Sequence, residues 1–169
     1  MQAARATSAA PKFFDPIVVN QFTFHDGGLG ANNPSAQAWA EMRDVFRKGH
    51  DDITSTISCF VSIGCGKAEI PIIDKSLYGF LAETLVSIAT ETDKTAESFE
   101  ADHEQLFQAE RCFRFNVEQG MQSVGLEEYK HVHKVVNATE EYLRQRQTER
   151  SVNAAVSRLA QKQCNVDFA

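Results

Sequence analysis

Two short β-rich segments, each closed by glycines and each followed by a helix-type stretch, constrain this chain more than anything else in it. Ile17 to Phe24 mixes β-branched and aromatic residues and runs into the turn Asp26-Gly27-Gly28-Leu29-Gly30. Ile57 to Ile63 is of the same kind and is closed by Gly64-Cys65-Gly66. Between them Asn33-Pro34 opens a helix, with Asn33 as N-cap and Pro34 at the first helical position, where its missing N–H costs nothing. That helix is predicted to run to about Lys48, with Ala38, Met42, Val45 and Phe46 on one side. After Pro71 the residues Leu77, Phe80, Leu81, Thr84, Leu85 and Ile88 recur at helical spacing. Cys112 to Val117 alternates like a short edge strand. Two helices follow, one lined by Val132, Val135, Val136, Thr139, Tyr142 and Leu143, the other by Val152, Ala155, Val156, Leu159 and Ala160. Strands that alternate with helices in this way predict an α/β layer architecture.

A length of 169 residues, 43% of them hydrophobic and 24% charged, suits one globular domain or part of one and excludes a disordered chain. Seventeen basic against twenty-three acidic residues give 17 − 23 = −6. That balance argues against nucleic acid or an anionic membrane surface as the main partner. No stretch reaches the ~20 apolar residues that span a bilayer, and the first residues hold no signal-peptide core. From Glu91 to Glu110 seven acids stand against the single base Lys94, which reads as a solvated helical face. Cys59, Cys65, Cys112 and Cys164 form no Cys-x-x-Cys pair; reduced, mostly buried thiols in a cytoplasmic protein are the expectation.

Several chemistries fail on spacing. Gly64-Cys65-Gly66-Lys67 follows a strand as a phosphate loop would, but Val61 and Ala68 stand where a Walker A loop needs Gly and Ser or Thr. His131 and His133 are two apart on a predicted helix and point to different sides. What remains is Asp26, an acid at the end of a strand and before a helix, where α/β sheets place their ligands. Its neighbours Gly27 and Gly28 would let the backbone pass through positive φ and let another segment approach the carboxylate closely.

Four blocks of this sequence resemble the patatin-like phospholipase family, in the family's order. They are Arg5-Ala6-Thr7-Ser8-Ala9-Ala10-Pro11 with Phe13-Phe14; Asp26-Gly27-Gly28 with Ala31-Asn32-Asn33-Pro34; Val61-Ser62-Ile63-Gly64-Cys65-Gly66; and the distal Arg114-Phe115-Asn116-Val117. The helix end Thr139-Glu140-Glu141-Tyr142-Leu143 also resembles the close of the domain in large multidomain relatives. The resemblance implies a three-layer α/β/α fold and hydrolysis of lipid or phospholipid acyl esters by a Ser-Asp dyad, without metal or cofactor. Asp26 matches the Asp of the family's Asp-Gly-Gly motif and would be the general base. Gly27 and Gly28 would form its turn, and Asn33 and Pro34 the helix start behind it. His25, next to Asp26 at the end of a strand, should face the other way and form no triad.

The family's nucleophile lies in a Gly-x-Ser-x-Gly elbow upstream of the Asp, and none of the nine glycines here has a serine two residues later. The resemblance therefore implies the C-terminal part of a patatin-like domain over residues 1–125, with a helical extension packed on it over 126–169. The upstream half is an expected partner that carries the nucleophile. Alone the chain is expected to be inactive and cytoplasmic, with peripheral contact at membranes. The alternative is a non-catalytic remnant that acts as a binding or regulatory partner.

Overall fold

A computed structural model describes residues 2–10, 14–46, 53–67, 77–121, 124 and 129–161. In chain order its elements are α1 (Gln2–Ala6), β1 (Ile17–Val19), β2 (Phe22–Phe24), α2 (Ser35–Phe46), β3 (Phe60–Ile63), α3 (Leu77–Asp102), α4 (Glu104–Gln108), β4 (Cys112–Phe115), α5 (Val132–Arg144) and α6 (Arg146–Ala160). The chain is α/β, as its alternating segments predict.

The first β-rich segment is a hairpin rather than one strand. β1 and β2 pair antiparallel, with Ile17 opposite Phe24 and Val19 opposite Phe22. The turn between them begins at Asn20, whose φ of 57° is a left-handed conformation that Asn tolerates better than β-branched residues do. This reversal falls at Asn20-Gln21, the polar pair between two runs of strand-forming residues.

The second sheet is parallel and pairs β3 with β4, Phe60 opposite Cys112 and Ile63 opposite Phe115. Along each strand successive side chains point to opposite faces. Phe60, Ser62, Cys112 and Arg114 share one face; Val61, Ile63, Phe113 and Phe115 share the other. Over the first face lies the core, where Trp39, Ile53, Ile57, Phe99, Leu106 and Cys112 are buried together and Met42, Phe60 and Phe107 pack against them. Trp39 of α2 meets the edges of Phe60, Phe99 and His103, with centroids 6.1, 5.9 and 4.2 Å away. α2, α3 and α4 thus cover this face. α6 contacts β4, and Phe113 on the other face is buried as well. Cys112 and Phe113 are both buried, so β4 is covered on both sides and not the half-exposed edge that its sequence suggests.

The acidic run from Glu91 is solvated as expected: Glu91, Glu97, Glu100, Asp102, Glu104 and Glu110 are exposed on α3, α4 and the turn after them. α3 begins at Leu77, as the spacing predicts; the side chains of the Leu77–Leu85 stripe, Pro71, Lys48 and Cys164 lie outside the described residues. α5 and α6 follow the two terminal periodic stretches. His131, however, sits in a tight turn ahead of α5, so its ring lies edge to face with His133, centroids 6.2 Å apart. Among the described residues no helix is long and apolar enough to cross a membrane.

Trp39 is the hinge of the core, holding α2, α3 and β3 together through one ring. Trp39→Ala is expected to lower unfolding stability by about 3–5 kcal/mol, read as a shift of the urea midpoint with an unchanged m-value.

Candidate functional site

Asp26 follows β2 directly. Its backbone N–H donates to the Ala9 carbonyl at 3.0 Å, so the buried Ala9 of the first motif block holds the second block in place. The Asp26 side chain caps the short turn Gly27–Leu29: Oδ1 accepts the Gly28 N–H at 2.8 Å. The residue is half-buried, and Oδ2 has no hydrogen-bond partner among the described residues. One carboxylate oxygen is therefore fixed by backbone and the other is available. His25 is exposed and shares no hydrogen bond with Asp26, although β2 ends at Phe24 and strand alternation is not the cause.

Gly27 and Gly28 do not use positive φ; among the described glycines only Gly66 and Gly120 do. The pair lies in a right-handed turn that any residue can adopt, and this corrects the expectation from sequence. A Cβ at Gly28 would lie 3.4 Å from Asp26 Oδ1, an ordinary contact with the oxygen that the Gly28 N–H already holds.

Behind the turn, Asn33 and Pro34 start α2. Asn33 Oδ1 accepts the Ser35 N–H at 3.3 Å and the Ser35 hydroxyl at 2.7 Å, while the Pro34 carbonyl accepts from Ala38 at 2.8 Å. The Asn32 amide donates to Thr92 Oγ1 at 2.7 Å, and the Asn33 amide reaches the Thr92 carbonyl at 3.5 Å, which ties the loop to α3.

A chain of hydrogen bonds continues from Ser35 into the sheet. Ser35 Oγ lies 3.1 Å from Ser62 Oγ on β3, and Arg114 Nη1 on β4 lies 2.8 Å from Ser62 Oγ. The proton order follows from valence. Arginine only donates, and the Asn33 carbonyl oxygen only accepts. Each serine has one proton, so Arg114 donates to Ser62, Ser62 to Ser35 and Ser35 to Asn33. At the ends of the strands Asn116 Oδ1 accepts the Gly66 N–H at 2.8 Å, and the Tyr142 hydroxyl accepts the Asn116 N–H at 3.3 Å. Three of the motif blocks thus meet at the carboxyl end of the β3–β4 pair. Sequence reasoning missed the roles of Ser35, Ser62, Thr92 and Arg114. The signal was that Ser62 and Arg114 stand two residues before Gly64 and Asn116, in strands that turn out to be paired.

Elsewhere, a groove of about 580 Å³ between α2 and α3 is lined by Trp39, Arg43, Lys94, Ser98, Asp102 and His103, among others, and includes none of the Asp26 loop. Among the described residues no group of His, Cys, Asp and Glu could hold a metal ion. Of the thiols, Cys112 is buried, Cys59 half-buried and Cys65 exposed. Burial, with smaller contributions from Cys59 and Glu100, pushes the Cys112 thiol from 9.0 up to about 12 against the opposing Phe113 backbone hydrogen bond. Burial also raises Cys59, opposed by Arg158.

With this geometry in hand, the comparisons define the class. No family model matches the chain. It is 33% identical over 118 residues to calcium-independent phospholipase A2-gamma of Rattus norvegicus, covering 68% of this chain and 14% of that protein. It is 40% identical over 76 residues to the 85/88 kDa calcium-independent phospholipase A2 of Rattus norvegicus, covering 42% and 9%. Phospholipase A I of Arabidopsis thaliana is 38% identical over 65 residues, covering 38% and 4%. The chain is a relative of the patatin-like phospholipases. It spans 14% or less of the length of these relatives.

Two predictions follow from the geometry. A Cβ at Gly64 would collide with Asn116 Oδ1 and lie 2.7 Å from Arg114 Nη2, whereas one at Gly30 would meet nothing within 4 Å. Gly64→Ala is expected to cost about 1–3 kcal/mol and to shift the NMR signals of Arg114 and Asn116, with Gly30→Ala as the silent control. For Cys112, the unfolded thiol ionises near 9.0 and the folded one near 12. Between these values the unfolded state holds fewer protons, so stability falls as pH rises through this window. Denaturant midpoints of Cys112→Ala are expected to fall less steeply there than those of the unmodified chain.

Proposed function

We propose that this chain supplies the general base of a lipid acyl-ester hydrolase, and that the base is Asp26. The observation that carries the reading is the asymmetry of its carboxylate: Oδ1 is held by the Gly28 N–H, while Oδ2 has no hydrogen-bond partner among the described residues. A base must keep its orientation through the reaction yet have a lone pair free to take a proton. The relatives, named as phospholipases, support an ester-linked lipid as substrate.

The nucleophile in this reading is a serine on the upstream half of the domain, since no Gly-x-Ser-x-Gly occurs here. Its Oγ attacks the ester carbonyl carbon as its proton passes to Asp26. The tetrahedral intermediate collapses, the ester C–O bond breaks, and the departing alkoxide takes the proton from Asp26. Water then attacks the acyl-serine, giving its proton to Asp26, which returns it to the serine as the fatty acid leaves. His25, exposed and unbonded to Asp26, has no part.

Without the serine the chain can offer only proton acceptance, worth ~10²–10⁴ in rate, and no covalent intermediate. Purified chain is therefore expected to turn over p-nitrophenyl butyrate no faster than its Asp26→Ala variant. The decisive test is a chimera, the Rattus norvegicus calcium-independent phospholipase A2-gamma with its matched stretch replaced by that of this chain. It is expected to hydrolyse phosphatidylcholine, and Asp26→Asn is expected to lower kcat by about 10² or more with KM little changed. A folded, active chimera indifferent to Asp26→Asn overturns the assignment.

A further inference from the structure

We propose that Arg114 is a positioning residue for the reaction: it holds the Asp26 loop in its working place by fixing which way the hydrogen bonds of Ser62, Ser35 and Asn33 run. The inference rests on the reading of Asp26 as the general base, and it names a group on the neighbouring sheet that sets how firmly that base is held.

The register puts Arg114 directly opposite Ser62 on the core face of the β3–β4 pair. The guanidinium is half-buried, and among the described residues it pairs with no carboxylate; its one hydrogen bond there runs from Nη1 to the Ser62 hydroxyl at 2.8 Å. What a cation supplies to a neutral hydroxyl is direction. Two serines in contact, such as Ser35 and Ser62 at 3.1 Å, can hand their protons either way. The positive charge draws the Ser62 oxygen toward itself and turns its proton away, toward Ser35. A charged donor does this about twice as strongly as a neutral one. Ser35 then gives its own proton to Asn33 Oδ1, 2.7 Å away. With the sense reversed, Asn33 Oδ1 would keep only the Ser35 N–H, at the longer 3.3 Å.

Asn33 is where the loop that starts at Asp26 ends. It is 4% exposed, and a buried acceptor that loses a donor is costly. Within the loop the Gly27 carbonyl accepts from Gly30 and Ala31. Asn32 Oδ1 lies 4.0 Å from the point that a Cβ on Gly28 would occupy, and the Gly28 N–H holds Asp26 Oδ1. The loop is thus a short, internally bonded unit, tied at its first residue by the Ala9 carbonyl and at its last by Ser35 and Ser62. A loss at Arg114 reaches the carboxylate as a change of loop position, although Arg114 makes no hydrogen bond to Asp26. Arg158 is the natural contrast. It donates to the Glu110 and Ala109 carbonyls at 3.1 and 2.8 Å, which pins α6 to the turn before β4 and leads to no part of the loop.

The test reads structure in the full chain. Rate is read in a chimera in which the whole chain replaces the matched stretch of the Rattus norvegicus calcium-independent phospholipase A2-gamma. In the full chain, Arg114→Met is expected to shift the Gly28 amide signal and to speed its exchange about tenfold. Arg114→Lys is expected to restore both most of the way, since a single bond from a charged donor needs no guanidinium fork. In the chimera, Arg114→Met is expected to lower kcat on phosphatidylcholine about tenfold or more with KM little changed. Ser62→Ala is expected to match it, and Ser62→Thr, which keeps the hydroxyl, to stay near the unmodified rate. The double variant Arg114→Met, Ser62→Ala is expected to be no slower than the worse single one, because both cut the same path. Arg158→Met is expected to lower the urea midpoint and leave kcat unchanged. An unmoved Gly28 amide, a loss that Arg114→Lys does not recover, multiplied losses in the double variant, or an equal loss of kcat in Arg158→Met overturns the inference. A chimera indifferent to Asp26→Asn, with Gly28 still answering to Arg114, defeats the reading of Asp26 and leaves the link to the loop standing. A chimera silenced by Asp26→Asn yet indifferent to Arg114→Met does the reverse.

Discussion

Everything near the candidate site depends on one directional run of hydrogen bonds, from Arg114 through Ser62 and Ser35 to Asn33. It joins two strands, the first turn of α2 and the loop that begins at Asp26, and each link has one permitted sense because its end groups are a pure donor and a pure acceptor. Asn33 and Ser35 are buried, where an unsatisfied polar group would cost more than the bond itself contributes. The loop is thus positioned by interior polar groups whose satisfaction requires β3, β4 and α2 to be in register. At its other end the Ala9 carbonyl fixes the backbone of Asp26, so the carboxylate is held from both sides by residues remote from it in sequence.

Much of this was legible in the chain and some was not, for identifiable reasons. The helices α2, α5 and α6 form where apolar spacing predicts them, but their stripes are only partly covered: Val45, Phe46, Val132, Val136, Leu143, Val156 and Leu159 are exposed, and α5 has no buried residue. The hairpin escaped the reading of one strand because only Asn20-Gln21 interrupts the strand-forming residues on either side, and the reversal uses Asn20 in a left-handed conformation. The double coverage of β4 was hidden for a different reason: Cys112 and Phe113 are both apolar, yet the polar Arg114 and Asn116 that follow them suggest a wet face. Arg114 faces the core side, where Ser62 receives its hydrogen bond, and no local pattern records a partner some fifty residues away. The role first read into Gly27 and Gly28 fails similarly, since a glycine pair signals conformational freedom whether or not the fold uses it.

The layers are unevenly filled. Trp39, Phe60, Phe99 and His103 form a dense aromatic cluster between sheet and helices, and among the described residues no comparable cluster lies over Val61 and Ile63. The β1–β2 hairpin likewise presents Phe22 and Phe24 to solvent, rings 6.5 Å apart.

Gly64 carries an evolutionary consequence. Its missing side chain is required by Arg114 and Asn116, which crowd it from β4 and the residue after it, some fifty residues away, and Arg114 in turn anchors the polar run that reaches the loop of the candidate site. Drift at any one of the three is penalised while the other two remain. The three positions form an epistatic set that can change together, or not at all, within a lineage that keeps this loop in place.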